Sequence, residues 1–387
     1  MTDTNRDPRR YAQAKLRLSL MDGGIKLALL VLFLTSGLSV GLARWCAGAP
    51  WLGVLEYVLL LGAGFTLIGL PGDWLGRRIE VSYGMNRQSV GGWAKDQVKG
   101  AVLGAVLGAA GAELLYWLLR VAPRHWWLWG WAGFLVIMVG LVQLGPVLLL
   151  PIFFKLRRMS ADDPSDAALV ERLESTYAGL RARNPKLPRL HGIYEWKLGE
   201  KSAKANAALT GLGKTRRVII SDTLLADATP EQIEAVFIHE LGHHVHQDLW
   251  RGIAFQAGLS LLGFWLAQWA LSVLGPRLGL SGIADVAGLP LIVLVFSLLG
   301  LLLMPVSNAF VRAMERRADD YSFTTLGTAE PLMAALTQLA EKNLAEVNPP
   351  RWKEFLLYSH PSIATRLRRG RAFMAGTHPL DAEDLRG

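Results

Sequence analysis

Thr229-Pro230-Glu231-Gln232 opens, and His239-Glu240-Leu241-Gly242-His243 closes, the fifteen residues from 229 to 243. Thr229 suits an N-cap, Pro230 the first helical position, and Gln232 completes a capping box, so a helix is expected to start at Pro230. On it, His239 and His243 are four apart and share one face, where both imidazoles can reach one ion. Glu240 is displaced by about 100° and can reach a water at that ion. Zinc takes nitrogen and oxygen ligands, and a catalytic site keeps one position for water, from which Glu240 would take a proton as general base. Histidines on solvated helices are common, so these five residues need a third ligand before they specify a site.

Working outward, the chain is strongly segregated. Of its 387 residues 51% are hydrophobic and only 19% charged, with mean hydropathy +0.28. A membrane-crossing helix needs about 20 apolar residues. Six segments approach that: 27–43, 51–70, 101–119, 126–154, 252–274 and 289–304. The fourth is long enough to tilt or run on, and Pro290 and Pro305 bound the sixth. Nothing before residue 27 resembles a cleavable signal. Basic residues flank the apolar segments rather than forming one patch, so the net charge of +9 does not imply nucleic acid. With a cytoplasmic N-terminus, Arg6, Arg9, Arg10, Lys15, Arg17, Lys26, Arg77, Arg78, Arg87, Lys95, Lys99 and the stretch from Lys155 fall inside. Only Arg44, Arg120, Arg124 and Arg277 fall outside, which satisfies the positive-inside rule. Cys46 is the single cysteine, which excludes an internal disulfide and a cysteine-built zinc site.

The expected organisation is therefore an N-terminal tail at 1–26, four spans within 27–154 with a loop at 72–100, a catalytic domain at 155–250, two spans at 251–305, and C-terminal helices at 306–387. In the catalytic domain Leu169, Leu173 and Leu180 mark a helix, and strand-like runs occur at 190–195, 206–210 and 217–220. The last two are joined through Gly211-Leu212-Gly213. Within the spans Glu56, Glu113, Gln143, Gln256 and Gln268 should face protein or water. Trp126, Trp127, Trp129 and Trp131 read as a membrane-interface belt. His244 and His246 read as neighbours outside the metal shell.

The acidic partner lies in Arg312-Ala313-Met314-Glu315-Arg316-Arg317-Ala318-Asp319, just beyond the last apolar run. Glu315 and Asp319 are four apart on one face. Glu315 can complete a His-His-Glu zinc site, while Asp319 can orient a ligating histidine from behind. Ser359-His360-Pro361 and then Arg366 follow in the tail.

These residues resemble the type I CAAX prenyl protease family, polytopic zinc metalloproteases of gluzincin type. The resemblance rests on Leu70-Pro71, Ile79-Glu80, Tyr83-Gly84-Met85-Asn86-Arg87-Gln88, Lys95-Asp96-Gln97 and Pro151-Ile152-Phe153-Phe154-Lys155. It continues through Asn206-Ala207, Ser221-Asp222-Thr223-Leu224-Leu225, Glu315-Arg316-Arg317-Ala318-Asp319, Asn343-Leu344 and Tyr358-Ser359-His360-Pro361 to Arg366, covering about residues 52 to 370. It implies a mainly α protein, with membrane helices around a chamber and a small cytoplasmic α+β zincin-like domain. It implies one zinc ion on His239, His243 and Glu315, Glu240 as base, and His360 and Arg366 as catalytic groups lining the site. The strand at Asn206, Ala207 and Ala208 would pair with an extended substrate. The family typically has seven spans and this chain shows six.

The expected activity is zinc-dependent endopeptidase cleavage, by a monomer in the bilayer, of peptide or protein substrates with or without a lipidated C-terminus. The location would be a bacterial inner membrane with the catalytic domain cytoplasmic, or the endoplasmic reticulum in a eukaryote. The alternatives are a membrane quality-control metalloprotease of the heat-shock type and a non-catalytic zinc-binding scaffold. A site-2-like protease is disfavoured, since no Leu-Asp-Gly follows and the motif helix has a polar, capped start.

Overall fold

The computed structural model describes residues 7–46, 48–185, 187, 189–211 and 215–377. Arg6, the Leu212-Gly213 pair of the expected turn, and the chain from 378 onward lie outside the described residues. Among the described residues six helices are long and apolar enough to cross a membrane, the number counted from the sequence. They are α1 (Pro8–Thr35), α3 (Pro50–Ser82), α4 (Val90–Val121), α5 (Trp126–Leu144), α10 (Asp248–Val273) and α11 (Leu289–Leu326). A short α2 (Leu38–Trp45) follows α1, and α5 continues through a π-helical turn at Gly145–Leu149 into α6 (Leu150–Phe153).

Three boundaries differ from the sequence reading. Residues 8–26, expected as a tail, are the first two thirds of α1. Asp7 caps that helix by accepting from the Arg9 and Arg10 amides, and Tyr11 and Lys15 reach Glu80 on α3. The apolar run 27–43 is not one helix, because Gly37 at φ 80° turns the chain between α1 and α2. Pro305 does not end the sixth span; α11 runs through it and carries Glu315 and Asp319 on the same rod.

Neighbour packing closes the spans into a ring in the order α1, α3, α4, α5, α10, α11 and back to α1. Packed helices stand about 8–10 Å apart, so a six-membered ring encloses a space of about one helix diameter. The hollow explains why so little of the spans is buried: none of the apolar window of α5 and 11% of that of α1. Both the inner and outer faces of such helices are open. The tryptophan belt is corrected by the same packing. Trp126 is fully buried and its indole donates to Gln268, and the Trp131 indole donates to the Ala257 carbonyl at 2.9 Å. Trp129 alone of these three stands well exposed. Gln268 thus faces protein, as a polar side chain in a span must.

Between the fourth and fifth wall segments the chain leaves the ring as a small α+β unit. Its elements are β1 (Leu156–Arg158), α7 (Ala167–Arg183), β2 (Ile193–Trp196), β3 (Ala207–Thr210), β4 (Arg217–Ser221), α8 (Asp222–Leu225) and α9 (Pro230–Val245). The sheet order is β1-β2-β4-β3, antiparallel at both edges and parallel between β2 and β4. The three-residue β1 was not foreseen, being too short to show a period. Val170 and Leu173 of α7, Val218 and Ile220 of β4, and Ile233, Phe237 and Leu241 of α9 make one core. After α11 come α12 (Glu330–Lys342), α13 (Arg351–Leu357) and α14 (Ile363–Met374). Ala235 and Val236 on the other flank of α9 pack with Leu332 and Leu336 of α12.

The loop after α3 ties this unit to the ring. The Ala203 amide donates to Met85 O at 3.0 Å, and the Arg87 amide to Lys201 O at 2.9 Å. Lys204 Nζ donates to Glu80 at 2.9 Å, and Asp96 on α4 accepts from Lys201 and, at 2.6 Å, from Gln88.

Candidate metal centre

The capping box of α9 forms as expected, with Thr229 and Gln232 satisfying each other's amides. The helix is buried almost all round, leaving the face of His239 and His243 turned to α11. The crossing is close because residue 242 is glycine. A Cβ there would stand 3.1 Å from Ala318 Cα and 3.2 Å from Tyr321 Cβ. That contact brings the histidine pair of α9 against the Glu315–Asp319 face of α11.

Glu315 meets both imidazoles. Its Oε2 is 3.6 Å from His239 Nε2 and its Oε1 is 3.4 Å from His243 Nε2. The three ligand atoms lie within 4.8 Å of one another. Ligands at zinc distances on a tetrahedron are about 3.3 Å apart, so these residues fit a single ion with little movement. The outward nitrogens are held too. His239 Nδ1 lies 3.0 Å from Asp319 Oδ1. His243 Nδ1 lies 2.9 Å from Asp248 Oδ2, a partner not foreseen. Five residues past His243, at the start of α10, Asp248 becomes adjacent only because Gln247 takes a left-handed conformation between the two helices. Asp248 Oδ1 in turn accepts from Arg317 at 2.8 Å. Burial disfavours an imidazolium at His243, but the carboxylates of Asp248, Glu315 and Glu240 outweigh it and raise the group to about 10. Carboxylates gathered around two imidazoles in a buried site suit a divalent cation. His244 is the opposite case: burial, with Arg216 and His243 nearby, pushes it down to about 4 and keeps it neutral.

Arg366 sits deeper than expected. Its Nε and Nη2 grip Asp319 at 2.8 and 2.5 Å, both side chains being buried, while Nη1 is 3.8 Å from Glu315. It therefore holds the carboxylate that holds His239. His360 is 60% exposed, with Nε2 3.3 Å from Glu315 Oε1 and Nδ1 3.0 Å from Ser359 Oγ. Its turn is anchored by Arg312, whose Nη1 donates to Glu354 O at 3.0 Å and to Tyr358 O at 2.6 Å.

The strand β3 lies at the sheet edge beside α9. The Leu209 amide donates to Glu240 Oε2 at 3.2 Å, so it points away from β4. Antiparallel strands alternate. Ala207 therefore shares that outward direction, while Asn206 and Ala208 turn their backbone groups to β4, as the Ser221 amide to Asn206 O bond confirms. This corrects the expected pairing set: of Asn206, Ala207 and Ala208, only Ala207 offers its backbone outward, and Leu209 joins it. Asn343 fixes the strand's approach by bonding both polar groups of Ala205, at 2.8 and 3.0 Å.

A cavity of about 400 Å³ is lined by Asn206, Ala207, His239, Glu240, Glu315, His360 and Arg366, with Val236, Leu332, Leu336 and Ile363 as an apolar wall. His243, Asp319 and Ala208 stand behind it.

Comparison with known proteins identifies the family. Residues 168–373 match the family model described as peptidase family M48, and residues 2–155 match that of the CAAX prenyl protease N-terminal region, five membrane helices. Within 2–155 this chain has four helices of membrane-crossing length and composition among the described residues. An uncharacterized metalloprotease of Bacillus subtilis, YhfN, is 30% identical over 350 residues, covering 88% of this chain and 79% of that one. A CAAX prenyl protease 1 homolog of Arabidopsis thaliana is 28% identical over 294 residues; the match covers 75% of this chain and 66% of the plant protein. The crystal structure of S. mikatae Ste24p shares the fold, with a TM-score of 0.81 at 23% identity over 95% of this chain and 89% of that one. The chain accordingly belongs to peptidase family M48, among the multi-pass membrane metalloproteases of its CAAX prenyl protease branch.

Proposed function

We propose that the chain is a zinc-dependent endopeptidase. One observation carries this reading: a His239–His243–Glu315 cluster lies beside a carboxylate outside the cluster, Glu240, that accepts from the outward backbone of an edge strand. Bound to the triad, zinc would supply Lewis acidity to a water molecule and to the scissile carbonyl. Glu240 accepts the proton of the attacking water and returns it to the leaving amine. The outward groups of Ala207 and Leu209 pair with an extended peptide, which takes over the Leu209 amide and releases Glu240 for the base role. Nε2 of His360 donates to the oxyanion that develops at the carbonyl. Arg366 holds Asp319, and Asp319 and Asp248 hold the two imidazoles in orientation. The apolar wall of the cavity accepts an apolar side chain next to the cut.

The positive-inside pattern supports a site on the cytoplasmic side of the membrane, and the chain is read as acting as a monomer. The name of the Arabidopsis relative makes prenylated C-termini one substrate class to test. The deciding experiment digests a peptide library containing farnesylated and plain C-termini with the purified chain, with Glu240→Gln as control. The variant should keep its zinc and lose about 10²- to 10⁴-fold in turnover. Wild-type turnover in the zinc-loaded variant removes Glu240 as base.

A further inference from the structure

A second cavity, of about 730 Å³, opens between α10 and α11 on the far side of α11 from the metal ligands. Four guanidinium groups surround it, those of Arg251, Arg316, Arg317 and Arg369, against one carboxylate, Asp320. Asp320 is engaged by Arg369 at 2.5 Å, and Arg317 reaches Asp248 at 2.8 Å. The Nε atoms of Arg317 and Arg369 are buried without a hydrogen-bond partner, and among the described residues Arg251 and Arg316 have no ion-pair partner. So much positive charge gathered around a recess, with donors unspent, calls for an anion.

The position of the recess narrows the choice. Arg251 immediately precedes the apolar run 252–274. Eighteen residues, or five full turns, carry it onto the face of Trp269, with Leu262 and Trp265 beside them, all exposed. Leu302, 74% exposed, is likewise five turns from Asp320 on α11. Large apolar side chains, two of them tryptophan, suit contact with lipid better than a water-filled lumen, which assigns these faces to the outer wall of the ring. One turn to the membrane side of Arg251, Phe255 stacks on Phe310 with centroids 4.4 Å apart and planes 7° apart, giving the recess an apolar floor. The recess thus has cations at headgroup depth and aromatic rings where acyl chains begin.

We propose that this recess binds the phosphate headgroup of an anionic phospholipid from the surrounding leaflet, with Arg251 and Arg316 as its principal ligands. The glycerol backbone rests on the Phe255–Phe310 pair. Arg317 joins the headgroup to Asp248 and so to the support of His243, which places a bilayer component one residue from the metal centre's framework.

The test places the full chain in nanodiscs of phosphatidylcholine containing a minor fraction of phosphatidylglycerol. Native mass spectrometry then counts the phosphatidylglycerol retained when bulk lipid is stripped. Wild type should retain it preferentially, and Arg251→Gln/Arg316→Gln should lose about thirtyfold in that preference. Arg251→Gln alone, at an exposed position that folding does not depend on, should lose about fivefold. Arg181→Gln/Arg183→Gln, which removes the same charge from α7, should retain the lipid. Equal retention by wild type and the Arg251 variants overturns the proposal. So does an equal loss in the α7 control, which indicates unspecific attraction. Displacement of phosphatidylglycerol by millimolar inorganic phosphate also overturns it, since that identifies a soluble-anion site.

Discussion

The two halves of α11 obey opposite rules. From residue 293 to 311 no side chain of the helix is buried, although most are Leu, Val or Phe; from 312 to 323 Arg312, Glu315, Ala318, Asp319, Asp320, Ser322 and Phe323 all are. A soluble helix hides its apolar residues and shows its charges. Here the apolar half is left to lipid and lumen, and the charged half is enclosed by α9, α13 and α14. An apolar wall needs no partners, because the bilayer solvates it. Buried carboxylates need every acceptor filled. Asp319 is filled by Arg366 and His239, and Glu315 by two imidazoles and, on this reading, a metal ion. Substitutions should therefore be costly in the charged half and mild in the wall.

The largest effect is expected where a ligand is removed. Glu315→Ala should drop bound zinc, measured by atomic absorption on the purified chain, to background, and cleavage with it. A variant that keeps full zinc content would show that Glu315 is not a ligand. Asp248→Asn, which leaves the ligands but weakens the hold on His243, should lower zinc affinity about 10- to 100-fold, with turnover returning when zinc is added in excess. An unchanged affinity would confine Asp248 to its bond with Arg317.

Gly242→Ala tests the crossing itself. A methyl group 3.1 Å from Ala318 Cα forces α9 and α11 apart, at a cost of about 1–3 kcal/mol. Thermal unfolding in detergent, followed with and without zinc, should show both stability and metal binding reduced. A fall in neither would mean that the crossing yields freely.

The edge strand gives a smaller, sharper contrast. Leu209→Pro removes an outward amide that β4 does not use, so the fold and zinc should survive while kcat/KM falls about tenfold. Ala208→Pro deletes a ladder bond to β4 and should lower stability first. If the two variants behave alike, the alternation assigned to β3 is wrong. The smallest effect is expected in the wall: Trp126→Phe removes the bond to Gln268 and should cost about 1 kcal/mol of thermal stability with cleavage intact. A large loss of activity there would couple the wall to the site.

Much of the site was legible because its chemistry is local. The His239–His243 spacing and the Glu315–Asp319 spacing each depend on one helical period, and the capping box at Thr229 depends on three residues. The contributions of Asp248, Leu209 and Arg312 were not legible. Asp248 reaches His243 through a left-handed Gln247, Leu209 through the phase of a strand ladder, and Arg312 through a turn more than forty residues later. Trp126 was misread because an indole next to a charged loop looks the same in one dimension whether it meets lipid headgroups or Gln268.

From the sequence alone, hydropathy determined six membrane-length helices, and side-chain spacing singled out two histidines on one helical face and the glutamate that meets them. Those properties belong to short segments and survive whatever the segments later touch. Tertiary structure decided that the helices close into a ring, that α9 meets α11 at Gly242, and which amides of β3 face the cavity. Each of these depends on distances between residues remote in the chain, which packing sets and no local pattern encodes.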